Sequence, residues 1–158
     1  MSDLAKTAKK ASMVSNNDIL IYQDADDLTH PQRVEALRYA YENSDAWHIS
    51  HFWIPSYYPF DEYEIDKIKL EKVESSDPEI HGKPYGSKFG KVTAGATSVR
   101  REMINHVSWG NSTREWGEDW HFNMNCLNAI NQSYILHAEI YVYTKFQHIV
   151  EPEIQSGI

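Results

Sequence analysis

The sequence predicts an α/β domain with a mostly parallel sheet and flanking helices. Residues 19–22 form a short apolar run between turn residues, which is typical of a buried strand. A helical pattern follows over residues 31–42, and residues 46–54 form a second strand-like run that Pro55 closes. Because strands and helices alternate in this part of the chain, we expect the strands to share one sheet that the helices cover.

Two amphipathic helices are predicted in the front half of the chain. The first covers residues 4–14, where small and apolar residues share one face. The second has Pro31 in its first turn, with Thr29 or His30 as its cap, and it ends at residues 43–45. Three residues of the second helix recur at helical spacing and are expected to face the core: Val34, Leu37 and Tyr41.

The patterns in the middle of the chain are weaker. Residues 63–73 fit either a strand or a helix, and the glycines and prolines of residues 75–91 predict turns. Residues 92–99 contain a short predicted strand through Gly95, and a glycine in a strand often lets a ligand or another backbone approach closely. Residues 100–106 predict a helical turn.

The last third of the chain predicts one helix and two strands. The helix opens within residues 114–120, and its inward-facing residues are Phe122, Ile130 and either Cys126 or Leu127. Strand-like runs over residues 134–137 and 139–146 complete the fold. We therefore expect a single domain over residues 1–150, followed by a loose tail over residues 151–158.

Composition argues against several kinds of partner. The net charge is −8 and there is no basic cluster, which disfavours nucleic acid and anionic membrane surfaces as partners. No apolar run is long enough for a membrane span, and the first residues lack the apolar core of a signal peptide. Cys126 is the single cysteine, so no disulfide can form within the chain. These features predict a cytoplasmic protein.

Three carboxylates follow the first predicted strand within four positions: Asp24, Asp26 and Asp27. The carboxyl end of a strand is where an open α/β sheet binds its ligands. Oxygen ligands of this kind suit a hard divalent cation such as Mg²⁺ or Mn²⁺. A solvated acidic turn that caps the next helix is the alternative, and these residues alone leave both interpretations open.

Three segments, taken in order, resemble family-two glycosyltransferases with the GT-A (Rossmann-like) fold. Residues 24–35, with the acids followed by His-Pro-Gln-Arg-Val-Glu, resemble the metal-binding segment of that family. Residues 95–101 resemble its acceptor-side strand, and residues 116–119, Trp-Gly-Glu-Asp, resemble its acidic motif at a helix start. The resemblance covers roughly residues 4 to 148.

The resemblance implies metal-dependent transfer of a sugar, with inversion, from a nucleotide-sugar donor to a hydroxyl acceptor. Asp26 would ligate Mn²⁺ or Mg²⁺, and His148 stands where some of these enzymes have a further ligand. Asp119 would be the general base that takes the proton of the acceptor hydroxyl. The other motif residues would bind the substrates: Asp24, Asp27, Gly95, Trp116, Gly117 and Glu118.

One departure from the family pattern leaves a second function open. Only one predicted helix precedes the acidic strand, so most of the nucleotide-binding half of the family is missing, and the unpaired strand would be exposed. Three explanations remain open: a partner polypeptide supplies the missing half, the chain is a truncated or degenerate relative, or its own residues rebuild the site. The exposed edge favours association with a second polypeptide or a second copy of the chain. The alternative function is a non-catalytic glycosyltransferase-like module that binds a carbohydrate or a partner protein, since acids at a helix start also stabilise the helix dipole without catalysis.

Overall fold

The computed structural model describes residues 16–54, 61–76, 96–109 and 118–144, together with Lys10. These residues contain two α-helices, α1 (Arg33–Glu42) and α2 (Glu118–Ala129), and two 3₁₀ helices (Ile65–Lys67 and Arg101–Asn105). They also contain six strands: β1 (Ile19–Ile21), β2 (Leu28–Thr29), β3 (His48–Ile54), β4 (Leu70–Val73), β5 (Thr97–Arg100) and β6 (Ser133–Val142).

The six strands form one mixed sheet in the order β1-β5-β3-β6-β2, with β4 also paired to β6. The β1–β5, β3–β5, β2–β6 and β4–β6 pairs are antiparallel, and only β3–β6 is parallel. The predicted, mostly parallel sheet is therefore wrong. Parallel neighbours need a long crossover connection, and β5 instead enters between β1 and β3 and runs opposite to both.

Helices cover both faces of the sheet, as the α/β prediction requires. Leu37 of α1 belongs to a buried cluster with Ile49 and Ile140, against which Ile19 and Ile21 also pack. On β1, the intervening Leu20 belongs to a different cluster, together with residues of α2. This alternation follows from strand geometry, which points successive side chains to opposite faces. A third cluster also includes residues of α2 and is formed around Leu127, Ile135 and Tyr141.

Helix α1 ends at Glu42 as predicted, but it begins at Arg33, two residues later than predicted, and its buried face differs from the prediction. The predicted cap, Thr29 or His30, is wrong, because the N-cap is Gln32 and no side chain caps the helix there. The Nδ1 of His30 accepts the N–H of Gln32 at 3.0 Å, and Asn43 stands at the C-cap. Leu37 and Tyr41 are buried as expected, whereas Val34 is 64% exposed. Arg33 takes the inward position instead and is 2% exposed, for reasons given with the site below.

The remaining element predictions are partly confirmed. Residues 63–73 contain both a 3₁₀ helix and strand β4, and the helical turn after residue 100 is present. The two runs predicted near the end are one continuous strand, β6. The predicted helix over residues 4–14, the turns over residues 77–91 and the tail over residues 151–158 lie outside the described residues. Within the described ranges, no helix is long and apolar enough to cross a membrane.

We expect Leu37→Ala to lower the free energy of unfolding by about 2 to 5 kcal/mol, because it leaves a cavity in the core beneath α1. The matched control is Val34→Ala, three residues earlier on the same helix and exposed, which should change stability by less than about 0.5 kcal/mol. Urea unfolding followed by circular dichroism measures both values. Equal losses for the two variants would contradict the burial of Leu37.

Candidate active site

The candidate site begins with a short segment after β1, residues 23–27, which we call the acid loop. A backbone hydrogen bond from the N–H of Asp27 to the carbonyl of Asp24, at 3.2 Å, closes the segment into a turn. The side-chain amide of Gln23 lies across this turn and donates to the carbonyl oxygens of Asp24 and Asp27, at 3.1 and 2.9 Å. Gln23 therefore holds the two ends of the acid loop together.

Arg33, the first residue of α1, fixes the acid loop from inside the protein. Its Nη1 donates to the Oε1 of Gln23 and its Nη2 to the carbonyl of Tyr22, both at 2.7 Å. Its Nε donates to the Nε2 of His51 on β3 at 3.1 Å, and the guanidinium lies 5.1 Å from the ring centre of Tyr141 on β6. One buried cation thus joins the end of β1, the acid loop and two further strands.

Burial affects the protonation of both Arg33 and His51. It lowers the pKa of Arg33 to about 10, with partial compensation from Tyr141 and Asp24, and the guanidinium stays protonated at neutral pH. Burial, and then the charge of Arg33, lower the pKa of His51 to about 3. His51 is therefore neutral, and since its Nε2 accepts from Arg33, its Nδ1 carries the proton and donates to the carbonyl of Phe52 at 3.2 Å.

The carboxylate of Asp27 is used inside the protein. It is 7% exposed, and its Oδ2 accepts from the hydroxyl of Tyr141 at 2.7 Å. Its Oδ1 accepts from the backbone N–H and the hydroxyl of Thr144, both at 2.9 Å. The Tyr141 hydroxyl also accepts the backbone N–H of Asp24 at 3.2 Å. Asp27 therefore ties the acid loop to the end of β6, and its role in substrate binding stays a prediction.

Asp26 and Asp24 are the more accessible acids of the loop. Asp26 is exposed and Asp24 is half-buried. Within the described residues there is no group of three or more His, Cys, Asp or Glu side chains that could hold a metal ion. A Mg²⁺ ion that serves a phosphorylated substrate commonly takes only one or two carboxylates, together with phosphate oxygens and water. The donor set at Asp24 and Asp26 fits that arrangement, and Asp26 as the ligand stays a prediction.

Asp119 lies in the first turn of α2, where its Oδ1 accepts the backbone N–H of Trp120 at 2.7 Å. The helix is packed against the residue that precedes the acid loop. Tyr22 contacts Phe122 edge to face, with ring centres 5.7 Å apart, and Trp109 stacks on Phe122 at 3.9 Å. The segment that carries the acids and the helix that carries Asp119 therefore meet in one aromatic cluster.

A buried polar cluster lies next to these rings, and we call it the Asn123 cluster. The Oδ1 of Asn123 on α2 is bonded to the Nε2 of His48 at 2.6 Å and accepts from the hydroxyls of Ser50 and Thr97, both at 3.1 Å. The Nδ1 of His48 bonds the hydroxyl of Ser133 at 2.8 Å. All five side chains are fully buried, and burial lowers the pKa of His48 to about 4.

Most of these buried polar residues carry no sequence motif that predicts a role. His48 and His51 are three positions apart on β3, which puts their side chains on opposite faces of the sheet, and accordingly His48 bonds α2 and His51 bonds α1. A sequence signal for the cluster was present, because His48 and Ser50 are polar residues at alternate positions of an apolar strand. Their partner Asn123 is 73 residues or more away in the chain, so the pairing itself could not be predicted.

Several predicted site residues fall outside the part of the chain that the structure describes. These are Gly95, Trp116, Gly117 and His148, and the side chain of Glu118. Their roles in substrate or metal binding stay predictions.

Comparison with known proteins gives one consistent similarity. No family model and no curated protein matches the chain. Among solved structures, the chain is similar to S. aureus TarS 1–349, with a TM-score of 0.64, 13% identity, and coverage of 93% of this chain and 42% of that one. The TarS complex with UDP-GlcNAc gives a TM-score of 0.64, 13% identity and coverage of 89% and 38%. The TarS complex with UDP gives a TM-score of 0.62 and 14% identity, with coverage of 88% of this chain and 39% of that one.

At this level of identity the similarity is one of fold. It supports a glycosyltransferase-like fold for the described part of the chain. The chain spans less than half the length of each of the three TarS chains.

We expect Asp27→Asn to destabilise the fold by about 1 to 3 kcal/mol, since it removes a buried charge that accepts three hydrogen bonds. The same change at the neighbouring exposed residue, Asp26→Asn, should alter stability by less than about 0.5 kcal/mol. Urea unfolding of the two variants measures the difference. If Asp26→Asn were the more destabilising of the two, the assignment of the buried carboxylate would be wrong.

We expect the free energy of unfolding to fall as the pH falls below 6.5. The pKa values of His48 and His51, about 4 and about 3, lie below the ordinary value of 6.5, so in this range the unfolded chain binds protons that the folded chain does not. Each histidine contributes a slope of up to about 1.4 kcal/mol per pH unit. Urea unfolding at a series of pH values measures the slope. His51→Asn should reduce the slope by the contribution of one histidine, up to about 1.4 kcal/mol per pH unit. Stability that stays level from neutral pH to about pH 5 would refute the neutral, buried histidines.

Proposed function

We propose that this chain forms the GT-A-like, family-two part of a glycosyltransferase that moves a sugar from a nucleotide-sugar donor to a hydroxyl acceptor, with inversion. The observation that carries the proposal is the packing of Tyr22, the residue before the acid loop, against Trp109 and against Phe122 in the first turns of α2. The segments that carry the two acidic motifs, whose acids are 91 positions or more apart in the sequence, thereby meet in one aromatic cluster. The fold similarity to TarS supports the same function.

The acid loop is the proposed donor side. Asp26, which is exposed, would ligate Mn²⁺ or Mg²⁺, which supplies positive charge next to the diphosphate of the donor. Asp24, which is half-buried, would face the ribose of the donor or a water bound to the metal. The buried charge of Arg33, through Gln23 and the Tyr22 carbonyl, keeps the loop in the shape that presents these carboxylates. The TarS complexes contain UDP-GlcNAc and UDP, so a uridine nucleotide sugar is the first donor to test.

Asp119 is the proposed general base on the acceptor side. Its carboxylate would take the proton of the acceptor hydroxyl while that oxygen forms a bond to the anomeric carbon. The bond from the anomeric carbon to the diphosphate oxygen breaks in the same step, and its electron pair leaves with the nucleoside diphosphate. Attack from the face opposite the leaving group inverts the anomeric centre.

A second candidate function is a non-catalytic module that binds a partner polypeptide. Within the described residues β1 has a strand neighbour on one side only, and a groove of about 430 Å³ runs between β1 and α1. Its apolar lining comes from Ile19, Ile21, Val34 and Tyr41, and exposed Val34 has no other evident reason to be apolar. A free strand edge beside an apolar groove is the kind of surface that accepts an added strand.

Calorimetry with Mn²⁺ and UDP-GlcNAc separates the two functions. We expect binding by the unchanged protein, loss of binding in Asp26→Ala, and unchanged binding in Asp66→Ala, a matched exposed acid on the first 3₁₀ helix. Asp119→Asn should retain donor binding and lose transfer to acceptor by about 10²- to 10⁴-fold, since it removes only the base.

Two outcomes would count against the transferase. If no nucleotide sugar binds in the presence of Mn²⁺, the binding module becomes the better explanation. If Asp26→Ala and Asp66→Ala bind donor equally well, the acid loop is not the donor site.

A further inference from the structure

The Asn123 cluster connects the sheet to the helix that carries Asp119. Its donors come from three strands: His48 and Ser50 lie on β3, Thr97 on β5, and Ser133, which bonds the far side of the His48 ring, on β6. The bonds from His48, Ser50 and Thr97 meet at one side-chain oxygen of α2, the Oδ1 of Asn123.

The cluster is costly as a means of stabilising the core. Asn123 is fully buried, and its Nδ2 has no hydrogen-bond partner among the residues that the structure describes, although the Oδ1 on the same side chain is bonded to three groups. A buried donor without a partner loses its hydration and gains nothing in return. Apolar side chains of similar volume would fill the same space without that loss. The cluster is therefore better explained by the position that it enforces than by the stability that it adds.

Because both residues lie on α2, the position of Asn123 also determines the position of Asp119. Residues four apart lie on the same face of a helix, separated by about 6 Å along the axis. Asp119 precedes Asn123 by four residues on α2. The oxygen of Asn123 is held from three directions, which fixes both the rotation of α2 and its height above the sheet, and with them the location of Asp119.

Thr97 brings the acid loop into the same arrangement. Its hydroxyl donates to Asn123 at 3.1 Å, and its backbone carbonyl accepts the N–H of Tyr22 at 3.1 Å. Tyr22 is the residue immediately before the acid loop. A single residue of β5 thus bonds to α2 with its side chain and to the start of the acid loop with its backbone.

We infer that Asn123, Thr97 and His48 are positioning residues that set the distance between Asp119 and the acid loop. They act through α2 and β5 and touch neither substrate. The inference rests on the proposed function for the meaning of that distance, whereas the attachment of α2 by the cluster is a property of the protein itself. The two parts can therefore be tested separately.

The first test compares neighbouring residues on β5. Thr97→Val removes the hydroxyl that reaches Asn123 and keeps the shape of the side chain, and Thr97→Ser keeps the hydroxyl. The matched control is Ser98→Ala, which removes an equally buried hydroxyl that bonds Tyr41 and the carbonyl of Ile49, on the α1 side of the sheet. We expect Thr97→Val to lower kcat by about 10- to 100-fold, with the KM for the donor changed by less than about threefold.

Recovery of kcat in Thr97→Ser, with kcat in Ser98→Ala within about threefold of the unchanged protein, would support the inference. Equal loss of kcat in Thr97→Val and Ser98→Ala would overturn it, since any buried hydroxyl would then have the same effect.

The second test needs no activity. Cys126 is the single cysteine of the chain, lies on α2 and is fully buried, so its reaction with a thiol reagent reports displacement of α2 from the sheet. We expect Asn123→Ala and Thr97→Val to raise the labelling rate by about tenfold or more over Ser98→Ala, at urea concentrations that give the variants equal global stability.

The two tests fail in different ways. If the Asn123→Ala and Thr97→Val variants are labelled rapidly, attachment of α2 by the cluster is supported, even if the unchanged protein has no transferase activity. That lack of activity would contradict the proposed function alone. Labelling rates equal to that of Ser98→Ala, in a protein that does transfer sugar, would overturn the positioning role and leave the proposed function in place.

Discussion

The buried guanidinium of Arg33 is the constraint on which the candidate site depends. A cation in the protein interior must have its donors satisfied, because an unsatisfied buried charge is far more costly than an unsatisfied neutral group. Arg33 meets that requirement with the carbonyl of Tyr22, the side chain of Gln23 and the neutral ring of His51. These partners lie at the end of β1, in the acid loop and on β3, so satisfying one charge fixes the relative positions of all three.

Two neighbouring aspartates of the acid loop, Asp26 and Asp27, have different surroundings. Asp27 points inward and is enclosed by the Tyr141 hydroxyl and two donors of Thr144, whereas Asp26 is directed to solvent. The inward carboxylate shapes the loop and the outward one is accessible to a ligand. Three acids within four positions therefore do not amount to three equivalent ligands, and the protein uses part of its acidic motif for its own structure.

Local patterns predicted the strand before the acids, the end of α1 and the inward face of α2, because periodicity and turn residues act over short distances. They failed where partners are far apart in the chain. The position of β5 between β1 and β3 made the sheet mixed, and the burial of Arg33 in place of Val34 depends on His51 and Tyr141. The role of Asp27 could not be predicted either, since its partners Tyr141 and Thr144 are 114 and 117 residues away.

Those long separations also bear on how the protein is made. The acid loop lies near residue 25, yet the groups that enclose Asp27 stand at the far end of β6. During synthesis the loop therefore leaves the ribosome long before Tyr141 and Thr144 exist, and it cannot reach its final shape until they follow. Contacts this distant in sequence are slow to form, because a long stretch of chain must be ordered before they are made. Assembly of the candidate site is consequently among the last events in the folding of this chain.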